Sequence, residues 1–414
     1  MSSESSPSRD KSYTQDWLEN ILQCYYASQH PDACQDENFR SFNVFIIEWN
    51  WHNLLFVDKQ VIDWEIKPVE GEGYLSEMLA LDVQYNVDKK EERVKLVAKL
   101  LPPDPYNRAF VIQTQFDLRE IRFYTEVAPA FHDVTHLLDK DFQPLPIPKH
   151  YHAVYKEDAE SILVMEDLRN KGYSHQNLNK GLTIRQAEVA VDCLAHIHSA
   201  SIMYQRETKE ELSKKFPYLL RREKAEEAFH ALFEKGLLLL LKYLDKNQEY
   251  LTIKKCLQEY SGNRSKDIFE RVLSPSDKMN TLVHCDFWSN NLMFKNEGND
   301  TKCCVIDWQM IMQGKPTVDL GMLITTSLNP QIRRDHEDSI VNAYWNSLLK
   351  RLRKLGMKDK DITYTYDDLK LDLKDGKIFG ALVMIGSVDI ALGDPEREER
   401  VMSLIRDLIA DGSL

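Results

Sequence analysis

The chain has no apolar run long enough to cross a bilayer. Its longest, Leu237 to Leu241 and Ile378 to Val388, stop well short of the roughly 18 residues a spanning helix needs. It has no excess of positive charge either. Its 53 Lys and Arg stand against 66 Asp and Glu, a net charge of −13 at pH 7. That excludes a broad basic face for nucleic acid or for an anionic membrane. It lacks a C-x-x-C pair, and its 7 cysteines are an odd number, so a reducing cytosol suits it better than a disulfide framework. Met1 to Lys11 is Ser-rich with no apolar centre, so it is not a secretory signal. Residues 1–12 read as a disordered tail, and there is no internal repeat. A cytoplasmic protein without a membrane span is expected.

What remains is an ordinary globular composition, 43% hydrophobic and 29% charged, enough to bury a core across 414 residues. One stretch carries the chemistry. Leu282 to Phe294 contains His284, Asp286 and Asn291 in the spacing H-x-D-x-x-x-x-N, between apolar flanks. Downstream, Cys303-Cys304-Val305-Ile306 is a short apolar run ending on Asp307. A carboxylate, an amide five residues on and a second carboxylate after a strand are the parts for phosphoryl transfer from a metal-bound nucleotide. Asp286 can orient and deprotonate an attacking hydroxyl. Asn291 and Asp307 are hard oxygen ligands suited to magnesium.

This segment resembles the catalytic loop of the small-molecule branch of the protein-kinase-like fold, which holds aminoglycoside phosphotransferases and choline kinases. It most resembles the ecdysteroid kinase-like proteins of arthropods, in which a tryptophan follows the aspartate by two positions and the metal site reads I-D-W-Q. Trp288 and Ile306 to Gln309 match both. The resemblance runs from about Phe42 to the end. It implies an α+β, bilobal protein-kinase-like fold: an N-terminal lobe with antiparallel sheet plus helix, and a larger, mostly helical C-terminal lobe. The expected boundaries are residues 13–165 for the nucleotide-binding lobe, 166–172 for a hinge and 173–414 for the catalytic lobe, with a helical substrate subdomain at about 205–275.

In chain order, Trp17 to Tyr26 has helical spacing, and Leu75 to Tyr85 alternates as a strand does. Gly71 and Gly73 enter that strand and, with Ser76, form a loop that could fold over phosphates. The loop resembles the family's G-E-N-Y-x-S, with Gly73 in place of the asparagine. Val94 to Leu101 is the next strand. Lys99 inside it is costly unless paired, and its expected task is to grip the nucleotide phosphates; Lys95 is the rival. A helix is expected over Ile112 to Val127. Glu120 and Glu126 are both candidate partners for Lys99, and the family's E-I-x-x-Y spelling favours Glu120, with Glu126 on a solvated or capping face. Tyr151 to Tyr155 and Ser161 to Met165 read as a hairpin. The turn to Glu166-Asp167-Leu168 resembles the hinge of choline-kinase-like enzymes, where the adenine edge would bond backbone near Glu166 and Leu168.

Thr183 and Gln186 spell a capping box that opens a helix. His198 falls on its apolar face as a core residue, and His196 is expected to be exposed. The leucine block at 237–241 reads as helix core or as a greasy wall for a lipophilic substrate. By the resemblance, His284 organises the loop, Cys285 stands where aminoglycoside phosphotransferases carry glycine, and Asp319 ties down the loop backbone. Lys358 to Asp361 is a solvated charge run.

The expectation is therefore an ATP- and magnesium-dependent kinase that phosphorylates a hydroxyl of a small, lipophilic substrate such as an ecdysteroid, another steroid or a xenobiotic alcohol. The alternatives are an inactive kinase-like binding protein and a choline- or aminoglycoside-type kinase.

Overall fold

A computed structural model of the chain describes residues 60–69, 75–87, 90–157, 160–246, 248–298 and 300–414, together with residues 18, 21 and 22. The expected tail, most of the Trp17–Tyr26 helix, and Gly71 and Gly73 lie outside the described residues. The fold is α+β and divides into two compact units. One comprises Met1–Thr114 with Lys149–Asn170, the other Gln115–Pro148 with Lys171–Leu414.

The first unit is a five-stranded antiparallel sheet in the order β1-β2-β3-β5-β4: β1 Gln60–Pro68, β2 Glu77–Val87, β3 Lys90–Leu100, β4 His150–Lys156 and β5 Glu160–Glu166. Side chains alternate across a strand, so the apolar members of β2 fall on one face. Leu79, Leu81, Val83 and Tyr85 pack there with Val94, Leu96 and Ala98 of β3, Ile162 and Val164 of β5, and Leu18, Ile21 and Leu22. Lys99 lies on the central strand, opposite Met78 on one side and Leu163 on the other. Its position puts it on the face away from that cluster, and it is half-buried. Lys95 is exposed and sits 3.7 Å from Asp82. α1, Pro105–Thr114, completes the unit.

The expected Ile112–Val127 helix is part of a longer, broken stretch. It opens at Pro105, behind Asp104, whose carboxylate accepts the Asn107 N–H at 2.9 Å. It breaks at Gln115, a non-glycine residue at φ 57°. It resumes as α2, Phe116–Arg122, widens into a π turn at Phe123–Val127 and ends as α3, Ala128–Leu138. From Gln115 on, these residues belong to the second unit.

The long helices of the second unit are α4 Ile184–Thr208, α5 Arg222–Leu244, α6 Leu251–Gln258, α7 Asn263–Leu273, α8 Thr317–Ser327, α9 Pro330–Lys354, α10 Tyr366–Gly386 and α11 Pro395–Ala410. The capping box at Thr183 and Gln186 is formed in both directions. α4 is not amphipathic in the simple sense, because every residue from Cys193 to Ala200 is buried. His196 is accordingly 7% exposed, against the sequence expectation. A ring nitrogen lies 3.0 Å from the Gln143 carbonyl, and the Phe142 ring packs perpendicular to the imidazole at 4.8 Å between centroids. The 139–148 loop that covers it has no signature near residue 196.

At Gly321 and Gly376, α8 and α10 meet backbone to backbone. A Cβ on Gly321 would lie 2.2 Å from the Gly376 carbonyl carbon. Two small strand systems complete the unit: β7 Thr281–Val283 with β10 Met312–Gly314, and β6 Ser174–His175 with β8 Leu292–Glu297 and β9 Asp300–Val305. β7 delivers the chain to residues 284–291, and β9 delivers it to residues 306–309.

Candidate active site

The two loops are knitted to each other by backbone and imidazole. Ile306 N–H donates to the Asn291 carbonyl at 3.0 Å. His284 Nε2 lies 2.9 Å from the Ile306 carbonyl, and His284 Nδ1 accepts the Asp286 N–H at 3.3 Å. That pair of partners fixes the tautomer with the proton on Nε2. Burial pushes the imidazole's pKa down, so the ring is neutral. His284 is thus a brace, as the resemblance implies.

Asp319, on the first turn of α8, is fully buried. Its Oδ2 accepts the His284 N–H at 2.7 Å and its Oδ1 accepts the Cys285 N–H at 2.9 Å. Cys285 needs that hold, because it adopts φ 62°, a conformation that costs a residue with a Cβ about 1–2 kcal/mol. Burial raises the Cys285 thiol well above its usual range, so it stays protonated and is no nucleophile. Behind Asp319, His198 Nε2 stands 3.4 Å away, and His198 Nδ1 lies 2.7 Å from the Tyr344 hydroxyl. At the far end of α8, Ser327 Oγ accepts the Ser289 N–H at 2.9 Å. One helix therefore holds the loop at both ends.

Within the loop, Asn291 Nδ2 donates to the Asp286 carbonyl and to Asp286 Oδ2, both at 2.8 Å. Asp286 is half-buried, and its carboxyl is raised to about 7. Burial is the main cause and the charge of Asp307 the second. The Asn291 amide and the Trp288 indole oppose them. Asp307 sits at φ 66°, and Gln309 Nε2 donates to its Oδ2 at 3.3 Å.

The α2 region supports the second loop. Arg119, 3% exposed, donates from Nε to the Gln309 carbonyl at 2.8 Å. Burial lowers its pKa to about 10, so it remains a cation. The π turn brings the Phe123 ring flat onto Trp308, with centroids 3.9 Å apart. Sequence reading missed Arg119, Ser327 and Tyr344. Nothing local marks them, since each acts across more than 30 residues of chain.

The other expected residues fall as follows. Glu120 is buried on α2, beside Arg119. Glu126 is partly exposed and ion-paired to Arg122 one turn before it. Ser76 is at the bend before β2, and Lys99 is on β3. Glu166 ends β5; its N–H donates to the Lys149 carbonyl and its carboxylate accepts the Lys149 N–H at 2.8 Å. Leu168 is buried in the short helix that follows.

A magnesium ion fits the residues present. Asn291 commits its NH₂ to Asp286, which leaves the amide oxygen without a protein partner among the described residues. Among the described residues no three His, Cys, Asp or Glu side chains form a metal cage. Magnesium does not require one, since it is held by one or two carboxylates, water and phosphate oxygens.

A cleft of about 1110 Å³ also lies in the second unit. It is lined by residues such as Gln205, Arg221, Lys278 and Met312, and by none of residues 284–291 or 306–309.

Residues 70–357 match the model of the ecdysteroid kinase-like family. A curated relative is the uncharacterized oxidoreductase dhs-27 of Caenorhabditis elegans, 24% identical over 262 residues. The match covers 59% of this chain and spans only 28% of the length of that relative. Among solved structures, the chain is similar to the Plasmodium vivax ethanolamine kinase Pv091845, at 12% identity and TM-score 0.45, with 85% of this chain and 84% of that one covered. It is similar also to the GDP complex of aminoglycoside 2'-phosphotransferase-IIIa, at 12% identity and TM-score 0.40, covering 84% and 93%.

Proposed function

The chain belongs to the ecdysteroid kinase-like family, and from that premise we propose that it is an ATP-dependent kinase transferring the γ-phosphoryl group to a hydroxyl of a small lipophilic molecule such as an ecdysteroid or related alcohol. The observation that carries this reading is the Asn291–Asp286 pair, which aims one amide group both ways. Its nitrogen orients the carboxylate, and its oxygen is left for a cation.

Asp286 receives the acceptor hydroxyl in hydrogen-bonding reach and takes its proton. A carboxyl raised to about 7 is matched to that task near neutral pH, where it is part ionised and still basic. Asn291 and Asp307 would hold magnesium, which would neutralise charge on the transferred phosphoryl oxygens. Lys99 is assigned to the nucleotide phosphates with Glu120 as its partner. The Gly71, Gly73 and Ser76 loop is assigned to covering them, and the backbone at Glu166 and Leu168 to the adenine edge.

The test is ATP consumption by the purified protein, with magnesium, across a panel of ecdysteroids, other steroid alcohols, choline and aminoglycosides. Turnover with a steroid alcohol, lost by at least about a hundredfold in Asp286→Asn, supports the reading. Turnover confined to choline or aminoglycosides redirects the substrate. Magnesium-dependent ATP binding with no turnover on any acceptor makes the chain a binding protein.

A further inference from the structure

The leucine block of α5 divides in the structure. Leu237 and Leu240 are buried in the core of the second unit, while Leu238 and Leu239 are 61% and 37% exposed. They are not scattered. At 3.6 residues per turn, Lys235, Leu238, Leu239 and Lys242 fall within an arc of about 100°, and Lys246 lies in the turn just past the helix end. All five are exposed. Lys235 and Lys242 have no ion-pair partner among the described residues, and Lys246 lies 5.8 Å over the Tyr243 ring. Asp245, at the edge of the arc, is already paired with Lys254. The stripe therefore holds two cations and two outward leucines, with a third cation in the turn that follows and no carboxylate among the stripe's described residues, in a chain whose net charge is −13.

We propose that this stripe of α5, with the turn after it, docks the protein, reversibly, on an anionic membrane surface, the two leucines entering the headgroup layer and the three lysines meeting lipid phosphates and carboxylates. Its charge complements that surface, and its pattern is that of a helix lying in an interface. A second copy of the chain is a poor occupant, since a two-fold contact would set lysine against lysine. A protein partner that anchors in a pocket is no better served: the stripe is the outward ridge of a helix, and none of its residues lines the 1110 Å³ cleft. The overall acidity excludes a broad basic face, not a local one. Two leucines and three lysines are a small anchor, so the attachment is weak and salt-sensitive. The inference does not depend on the catalytic reading.

The experiment is flotation of the full chain with phosphatidylcholine vesicles, with and without phosphatidylserine, at low and high salt. Binding is expected only with phosphatidylserine and at low salt. It should fall by about tenfold or more in Lys235→Glu/Lys242→Glu and in Leu238→Ser/Leu239→Ser, with thermal unfolding unchanged. If the leucine pair alters unfolding, the lysine pair decides. No binding by the wild type, or equal binding by the lysine pair, overturns the proposal. So does lysine-dependent self-association in the absence of lipid, read by light scattering.

Discussion

Asn291 donates one NH₂ group to two oxygens of Asp286, the backbone carbonyl and the carboxylate, each at 2.8 Å. The amide therefore sets both the path of the loop and the rotamer of its acid. Asn291→Leu keeps the branching and heavy-atom count of the side chain and removes both bonds. Turnover should fall by at least about a hundredfold, with a smaller change in the KM of the acceptor. Steady-state kinetics on the best substrate from the panel checks this.

The raised carboxyl of Asp286 has a consequence for stability. Its pKa is about 7 folded, against the ordinary 3.8 expected when unfolded. Between those values the folded chain holds a proton that the unfolded chain has released. Its contribution is therefore fully present at low pH and is lost as pH rises toward 7. Asp286→Asn cannot lose that proton. The variant should melt a few degrees above the wild type at pH 8, with a much smaller difference at pH 4. For the same reason wild-type turnover should climb with pH through about 7 and level off above it, since the base must be ionised. Calorimetric melts and a pH–rate profile check the two halves separately.

Asp319 accepts the amides of His284 and Cys285 from a fully buried position. Asp319→Ala leaves two buried N–H groups unpaired and frees the strained backbone at Cys285. A loss of about 3–5 kcal/mol is expected. Urea unfolding measures it.

Gly321 and Gly376 allow α8 and α10 to touch backbone to backbone. Gly321→Ala sets a methyl 2.2 Å from a carbonyl carbon, and no side chain is there to move aside. Because α8 also grips residues 284, 285 and 289, the variant should lose both stability and turnover. Gly262→Ala is the control for space alone, since a Cβ there meets nothing within 4 Å, although its φ of 73° still brings some strain.

The parts that sequence made legible are those with a local signature. The spacing of Asp286 and Asn291, the capping box at Thr183, the alternation of β2 and the lysine on β3 all depend on neighbours a few residues away. The family resemblance added the role of Asp319, which geometry then bore out. What was not legible depends on distant packing. His196 is covered by the loop at 142–143, Gln115 breaks a helix without glycine or proline, and Ser327 reaches Ser289 across 38 residues. The leucine block had two readings in sequence, and only the fold separates its buried members from its outward ones.

On the proposed function, the Asn291 amide oxygen and the Asp307 carboxylate together would hold the cation of a bound nucleotide. Calorimetric titration of ATP into the wild type and into Asp307→Asn, each with and without magnesium, tests it most directly. Magnesium should tighten ATP binding by about tenfold or more in the wild type and leave the variant's affinity almost unchanged. Equal tightening by magnesium in both proteins would contradict the account.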